Sequence, residues 1–437
     1  MLIVLRDATV TFEGARHPAL DRVSLPLRSG SWTAVVGANG SGKSTLLGVL
    51  SGLVPLRDGF VERDGTPRVA LLPQDADNHL VATSVAHELA LSVPHDMPRS
   101  QRDSRIAAAV ERFDLAHLLE RNPHRLSGGE KQRLACATVW LEHPDLLLLD
   151  EPLAFLDTDA RARVIDFVRE THARGATVVW ATPGEDVELA PDAVYLEHGR
   201  VVAPPPSNDM HTRPPLRRAA ALGARGAVIL AAEGASFAFD GRVVLQSIDL
   251  QVAKGECVGI VGRNGAGKST LLTLLGGAHT PASGRVRRSL GAHEVALYLP
   301  QTPERMFFAE TVREEIAFGL QRLAGGKRNA ARIEEIARES LCAVGLDPAE
   351  TLERSPFQLS FGEMRRVAFA IAHAMAPALL LLDEPASCLD RAGHEVLADL
   401  VAARANAGAA VVIASHDTAH LDGLCDRILS LENGFTR

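Results

Sequence analysis

Cysteine is scarce in this chain: five in 437 residues, at positions 136, 257, 342, 388 and 425, with no two at a CxxC or other metal-ligand spacing. That argues against a disulfide scaffold and a cysteine zinc site; the five read as small apolar fillers in a reducing compartment. Any long, unbroken apolar run of the kind that spans a bilayer is also missing. The most tempting stretch, 219–239, is broken by Arg225, Glu233 and several glycines, so no segment is expected to cross a bilayer alone. The run MLIVLRDATVTF meets charge too early for a signal peptide. Positive charge is not in excess: 46 Lys and Arg stand against 54 Asp and Glu, a net charge of −8. A surface that binds nucleic acid throughout is therefore not expected.

What is present is an ordinary globular balance, 46% hydrophobic and 23% charged, written twice. GANGSGKST at 37–45 recurs as GRNGAGKST at 262–270, and LLPQ at 71–74 as YLPQ at 298–301. LSGGE at 126–130 recurs as LSFGE at 359–363. LLLLDEP recurs at 146–152 and 379–385, followed by FLD and CLD. The separation from Lys43 to Lys268 is nearly that from Gln74 to Gln301 and from Glu151 to Glu384. Kept order with nearly constant spacing marks a tandem duplication. The boundary is expected in 204–226, PPPSNDMHTRPPLRRAAALGARG, where five prolines and no apolar period read as an extended linker. The expected domains are 1–203 and 227–437.

Within each unit, apolar runs alternate with helical patterns, which predicts an α/β fold. Buried strands are expected at 33–36, 146–149 and 177–181, and again at 258–261, 379–382 and 410–414. The first of each set ends at a glycine-rich turn. There Gly37, Gly40 and Gly42 let backbone N–H groups converge on a phosphate, and the following helix adds its positive end. Lys43 is placed to reach the β- and γ-phosphates, and Ser44 to ligate Mg²⁺. Asn39 and Thr45 complete the loop. Gly262, Asn264, Gly265, Gly267, Lys268, Ser269 and Thr270 repeat it. The LLLLDE strands present two acids each: Asp150 or Asp383 for the metal, and Glu151 or Glu384 to deprotonate the attacking water.

A phosphate loop, a lone Gln, an LSGGE segment, an LLLLDEP strand and FLD in this order resemble ABC-type ATPases over nearly the whole chain. The resemblance implies two P-loop NTPase domains, each a mostly parallel core sheet with an antiparallel β subdomain and a helical subdomain. It implies ATP and Mg²⁺ as ligands. By the same resemblance Gln74 and Gln301 touch the metal, and Phe12 and Phe239 stack on adenine, although either Phe could equally pack in a core. The two units would pair head to tail, each nucleotide lying between one phosphate loop and the other unit's signature segment. Site one would combine Lys43, Asp150, Glu151 and Pro183 with Ser360, Phe361 and Gly362. Site two would combine Lys268, Asp383, Glu384 and His416 with Ser127, Gly128 and Gly129. His416 matches the switch histidine that contacts the γ-phosphate. The offset that relates Glu384 to Glu151 carries His416 back to Pro183, which has no side-chain donor and no N–H. Site two is therefore expected to do most of the hydrolysis.

YLPQTPERMFFAETVREEIAFG at 298–319 with LSFGEMRRVAFA at 359–370 is similar to the ATPases of energy-coupling-factor (ECF) transporters, importers of vitamins and metal ions. LLPQDADNHLVATSVAHELALS at 71–92 has the same character. That resemblance implies a motor on the cytoplasmic membrane face, with integral membrane partners: a coupling-helix subunit and a substrate-binding subunit. Met306, Phe307 and Phe308 would then line the groove for the coupling helix, or simply be core. An ordinary ABC importer differs only in its partner. The alternative is a soluble tandem ABC ATPase acting on ribosomes, but such proteins carry a long charged helical connector, unlike 204–226. A DNA-repair ABC ATPase needs a long coiled-coil insertion, and the intervals from Gln74 to Ser127 and from Gln301 to Ser360 are too short for one.

Overall fold

The structure, a computed structural model, describes residues 3–13, 17–73, 80–94, 97–126, 128–153, 156, 158–184, 186–204, 226–239, 241–323, 329–387, 389–432 and 434–436. The chain divides into two compact units, Met1–Arg213 and Pro214–Arg437. The expected linker, 204–226, lies outside the described residues except at its two ends.

In the first unit the strands are β1 (Ile3–Val10), β2 (Leu20–Leu27), β3 (Trp32–Val36), β4 (Asp58–Arg63), β5 (Val69–Leu72), β6 (Leu146–Asp150), β7 (Thr177–Thr182), β8 (Asp192–Glu197) and β9 (Arg200–Val202). The helices are α1 (Lys43–Ser51), α2 (Val85–Leu91), α3 (Arg99–Arg112), α4 (Gly128–Glu142) and α5 (Thr158–Ala173). A six-stranded sheet runs β5-β6-β7-β3-β8-β9, parallel except for the β8–β9 hairpin. A separate antiparallel sheet, β2-β1-β4, packs over α1.

The second unit repeats the plan. Its strands are β10 (Val228–Phe239), β11 (Arg242–Ala253), β12 (Cys257–Val261), β13 (Ser283–Arg288), β14 (Ala296–Leu299), β15 (Leu379–Asp383), β16 (Ala410–Ser415), β17 (Arg427–Glu432) and β18 (Phe435–Thr436). Its helices are α6 (Lys268–Gly276), α7 (Val312–Leu323), α8 (Ala330–Ala343), α9 (Pro348–Thr351), α10 (Phe361–Met375) and α11 (Arg391–Asn406). The sheet order is β14-β15-β16-β12-β17-β18, with β11-β10-β13 as the antiparallel sheet.

The LLLL runs form strands rather than helix turns because a parallel strand covered on both faces wants unbroken apolar sequence. Side chains alternate between the faces. Leu146 and Leu148 enter the core beneath α1, while Leu147 and Leu149 enter the core with α4 and α5. Leu379 and Leu381 divide from Leu380 and Leu382 in the same way. The two layers hold the central strands rigidly, and their carboxyl ends carry the phosphate loop and the paired acids.

Helix α10 shows how the signature segment is held locally. Ser360 caps it, its hydroxyl accepting from Glu363 N at 3.3 Å, while the Glu363 carboxylate accepts from Ser360 N at 2.8 Å. This reciprocal pair satisfies two donors that the helix start leaves open. Ser360→Ala is expected to cost about 1 kcal/mol of stability, read as a lower denaturant midpoint with an unchanged slope.

Candidate nucleotide-binding sites

Each phosphate loop depends on glycines where side chains do not fit. A Cβ at Gly37 would sit 2.4 Å from the Leu196 carbonyl oxygen, and one at Gly262 2.5 Å from that of Leu431. Gly42 and Gly267, which precede the two helices, have φ of 104° and 99°, a region that favours glycine. Each lysine folds over its loop. Lys43 Nζ donates to the carbonyls of Gly37 and Ala38 at 2.8 and 3.2 Å. Lys268 Nζ donates to those of Gly262 and Arg263 at 2.7 and 3.2 Å. Each ammonium also faces the second acid of its own unit, Lys43 to Glu151 at 3.4 Å and Lys268 to Glu384 at 3.3 Å. All four groups are buried. The loop lysine and the second acid of the LLLLDE strand are thus one ion pair in each unit.

The acids are held by the backbone. Glu151 and Glu384 adopt φ of 46° and 47°, uncommon outside glycine. Their amides donate to the carbonyls of Ala181 and Ala414 on the neighbouring strands, which fixes the turn after β6 and β15. Nothing in the sequence flags this conformation, and it occurs at both equivalent positions.

Burial pushes the Asp150 and Asp383 carboxyls up; hydrogen bonds from Ser44 and Ser269 respectively oppose it. One oxygen of each, Oδ1, is buried without a hydrogen-bond partner. A serine hydroxyl beside a carboxylate with a spare oxygen fits Mg²⁺, a hard cation that takes few protein ligands and completes its shell with water and substrate phosphates. Among the described residues no group of three His, Cys, Asp or Glu could hold a metal ion by itself.

The units differ at the second acid. His416 Nδ1 lies 2.9 Å from Glu384 Oε2. An ionised carboxylate only accepts, so Nδ1 carries the proton. Burial alone would raise the Glu384 carboxyl, but the hydrogen bond and charge of His416, with Lys268, outweigh it and hold it below the usual range. In the first unit position 183 is a proline in the turn after β7, and no imidazole can occupy that place.

Several expected residues fall outside the described set: Gln74 and Ser127, with Cys388. Gln301, Gly128, Gly129 and Gly362 are described, the last three at the starts of α4 and α10. Phe12 and Phe239 are half exposed, so the core-packing alternative is set aside. Phe239 packs edge-on to Phe237, with ring centroids 4.8 Å apart. The trio 306–308 splits: Phe307 is buried and Met306 packs against the core, while Phe308 is exposed. Groove contacts at Met306 and Phe307 are therefore corrected to core packing. The filler reading of the cysteines is incomplete too. Burial pushes the Cys136 thiol up to about 12, as an inert filler requires, but Cys257 and Cys425 lie 3.6 Å apart, sulfur to sulfur.

Polar contacts around the motifs have no signal in the sequence. Tyr298 donates to Asp383 Oδ2 at 3.0 Å. Arg365 on α10 donates to the carbonyls of Pro300 and Gln301 and stacks on Phe361, whereas its counterpart Gln132 donates to the Pro152 carbonyl at 3.2 Å. The buried Glu88 accepts from the amides of Val81 and Ala82, and Glu315 likewise from those of Phe308 and Ala309. These pairs join residues far apart in the chain or buckle a loop to a helix, and residue type alone did not signal them.

The family profile described as ABC transporter matches residues 20–154 and 245–387, once per unit and over more than half the chain. The chain belongs to the ABC transporter ATP-binding family. ATP hydrolysis is the activity expected of a tandem ABC ATPase. Relatives under the provisional name ABC transporter ATP-binding protein include one from Streptomyces avermitilis, 31% identical over 99% of this chain and 92% of its own length. One from Bifidobacterium longum is 27% identical over 98% of this chain. The chain spans only 65% of the length of that Bifidobacterium protein. Among solved structures, the archaeal ribosome recycling factor aABCE1, in complex with stalk protein aP1, aligns with a TM-score of 0.66 and 22% identity over 99% of this chain and 89% of that one. Ribosome-bound archaeal Pelota and ABCE1 gives 0.74 and 21%, over 99% of this chain and 78% of that one. At that identity the likeness shows the ABC ATPase fold alone. No helix among the described residues of this ABC ATPase is long and apolar enough to cross a membrane.

Proposed function

We propose that this chain is the ATP-hydrolysing motor of a membrane importer of the ECF type, with the second unit's pocket doing most of the chemistry. The observation that carries the division of labour is the His416–Glu384 hydrogen bond at 2.9 Å, with Pro183 at the matching place in the first unit. Glu384 takes the proton from the attacking water. His416, with Nδ1–H fixed on that carboxylate, turns Nε2 to the transferring phosphoryl group. Lys268 and the loop amides would hold the phosphates, and Ser269, Gln301 and Asp383 would hold Mg²⁺, which would supply charge neutralisation at the transferring group. The first unit, with Lys43, Ser44, Gln74, Asp150 and Glu151, mainly holds ATP.

The importer reading is supported by an apolar pair on each unit just after the Gln segment. Phe308 and Phe318 are 62% and 44% exposed with rings 4.7 Å apart. Their counterparts, at the offset that relates Gln301 to Gln74, are Val81 and Leu91, 75% and 47% exposed. Glu315 and Glu88 buckle the two loops identically. Repetition of an exposed apolar pair on both copies fits a partner that presents a helix to each, such as the membrane subunit of an importer. A vitamin or a metal ion is the proposed cargo class, on the ECF resemblance.

Detergent pull-down of the tagged chain from its own cells tests this. Small polytopic membrane proteins are expected; ribosomal subunits instead would replace the importer with the ribosome-factor reading. Phe308→Asp combined with Val81→Asp is expected to lose the membrane proteins about tenfold or more while ATP binding is kept.

A further inference from the structure

We propose that Tyr298 is a positioning residue for the metal-holding carboxylate of the second unit, and that its absence from the first unit makes the two pockets unequal in Mg²⁺ affinity. This rests on the assignment of Asp383 and Asp150 as metal-holding residues. Tyr298 stands on β14 and pairs with Leu381 of the parallel neighbour β15. Two positions further along β15, Asp383 lies within reach, and the phenol O–H donates to its Oδ2 at 3.0 Å.

The consequence follows from the other oxygen. Asp383 is buried, and Oδ1 has no hydrogen-bond partner. A carboxylate tied at Oδ2 by a hydroxyl cannot rotate freely, so Oδ1 is held at one place for a cation. Residues that orient a metal ligand in this way are worth about 10–100-fold in metal affinity. Tyr298 opens the YLPQ segment that ends at Gln301, and the matching LLPQ segment that ends at Gln74 opens with Leu71. Leu71 pairs with Leu148 of β6 in the matching register and packs on the apolar core. A leucine offers no donor, so Asp150 keeps the hydrogen bond from Ser44 without a second from this strand, whereas Asp383 has both Ser269 and Tyr298. The tyrosine and His416 therefore fall in the same unit, one steadying the metal-holding acid and the other the base.

The test uses the full chain carrying Lys43→Ala, so that only the second pocket binds nucleotide, with and without Tyr298→Phe. ATP affinity is measured in EDTA, and Mn²⁺ occupancy in saturating ATP is followed by electron paramagnetic resonance. The variant is expected to keep its metal-free ATP affinity within about twofold while the Mn²⁺ half-saturation rises about tenfold. An unchanged Mn²⁺ half-saturation overturns the inference. So does an equal loss of ATP affinity with and without metal, which marks a packing role only. If the chain binds no ATP even with Tyr298 in place, the underlying assignment of the pocket falls instead.

Discussion

Glu384→Gln is expected to lower ATP hydrolysis by about 10²–10³-fold, and Glu151→Gln by less than about twofold, in steady-state phosphate release. Glutamine matches the shape of glutamate but cannot take a proton from water. The proposed advantage of Glu384 is one of position and ionisation. The carboxylate is buried, yet His416 and Lys268 hold it ionised below the usual range, and His416 fixes its rotamer through the 2.9 Å contact. Glu151 faces Lys43 at 3.4 Å, but its unit carries Pro183 in place of the histidine. Losing one preorganised contact of this kind costs about 10²–10³ in rate, and that sets the residual activity left to the first unit in the Glu384 variant. Equal losses from the two substitutions would overturn the asymmetry.

His416→Ala is expected to cost about 10²-fold in turnover and to move the acid limb of the pH–rate profile upward. Glu384's pKa in the folded protein lies below its ordinary value, so its ionised form, and the stability it contributes, persist as pH falls through the usual carboxylate range and are lost only below it. Without the imidazole the largest remaining influence is burial, which raises the pKa. Glu384 then takes up its proton at a higher pH, and the low-pH side of the profile falls away sooner. Turnover followed from the acid range through neutrality checks both parts. A large loss with an unmoved acid limb would mean that His416 acts on the phosphate alone.

Much of the architecture was legible because its signal is local and repeated. Strands expected at 146–149 and 379–382 run on to Asp150 and Asp383, because the strand carries its pairing up to the first acid. Those at 177–181 and 410–414 likewise extend to Thr182 and Ser415. A short apolar run between loop signals can be a strand or part of a buried helix; the alternation of such runs with helical patterns pointed to strands. The glycine loops were legible for the same kind of reason: only residues without a Cβ fit against the Leu196 and Leu431 carbonyls.

What the sequence alone determined here was the duplication, the α/β units, the two phosphate loops and the missing histidine at position 183. Each is a matter of residue type at a spacing, and covalent order preserves spacing. Tertiary structure decided which groups meet across it. Tyr298 and Asp383 meet from distant parts of the chain, as do Cys257 and Cys425, and no local pattern announces a contact closed by sheet register. The left-handed backbone of Glu151 and Glu384 belongs with these, since an amide tied to a neighbouring strand, rather than the glutamate's own preference, sets that angle.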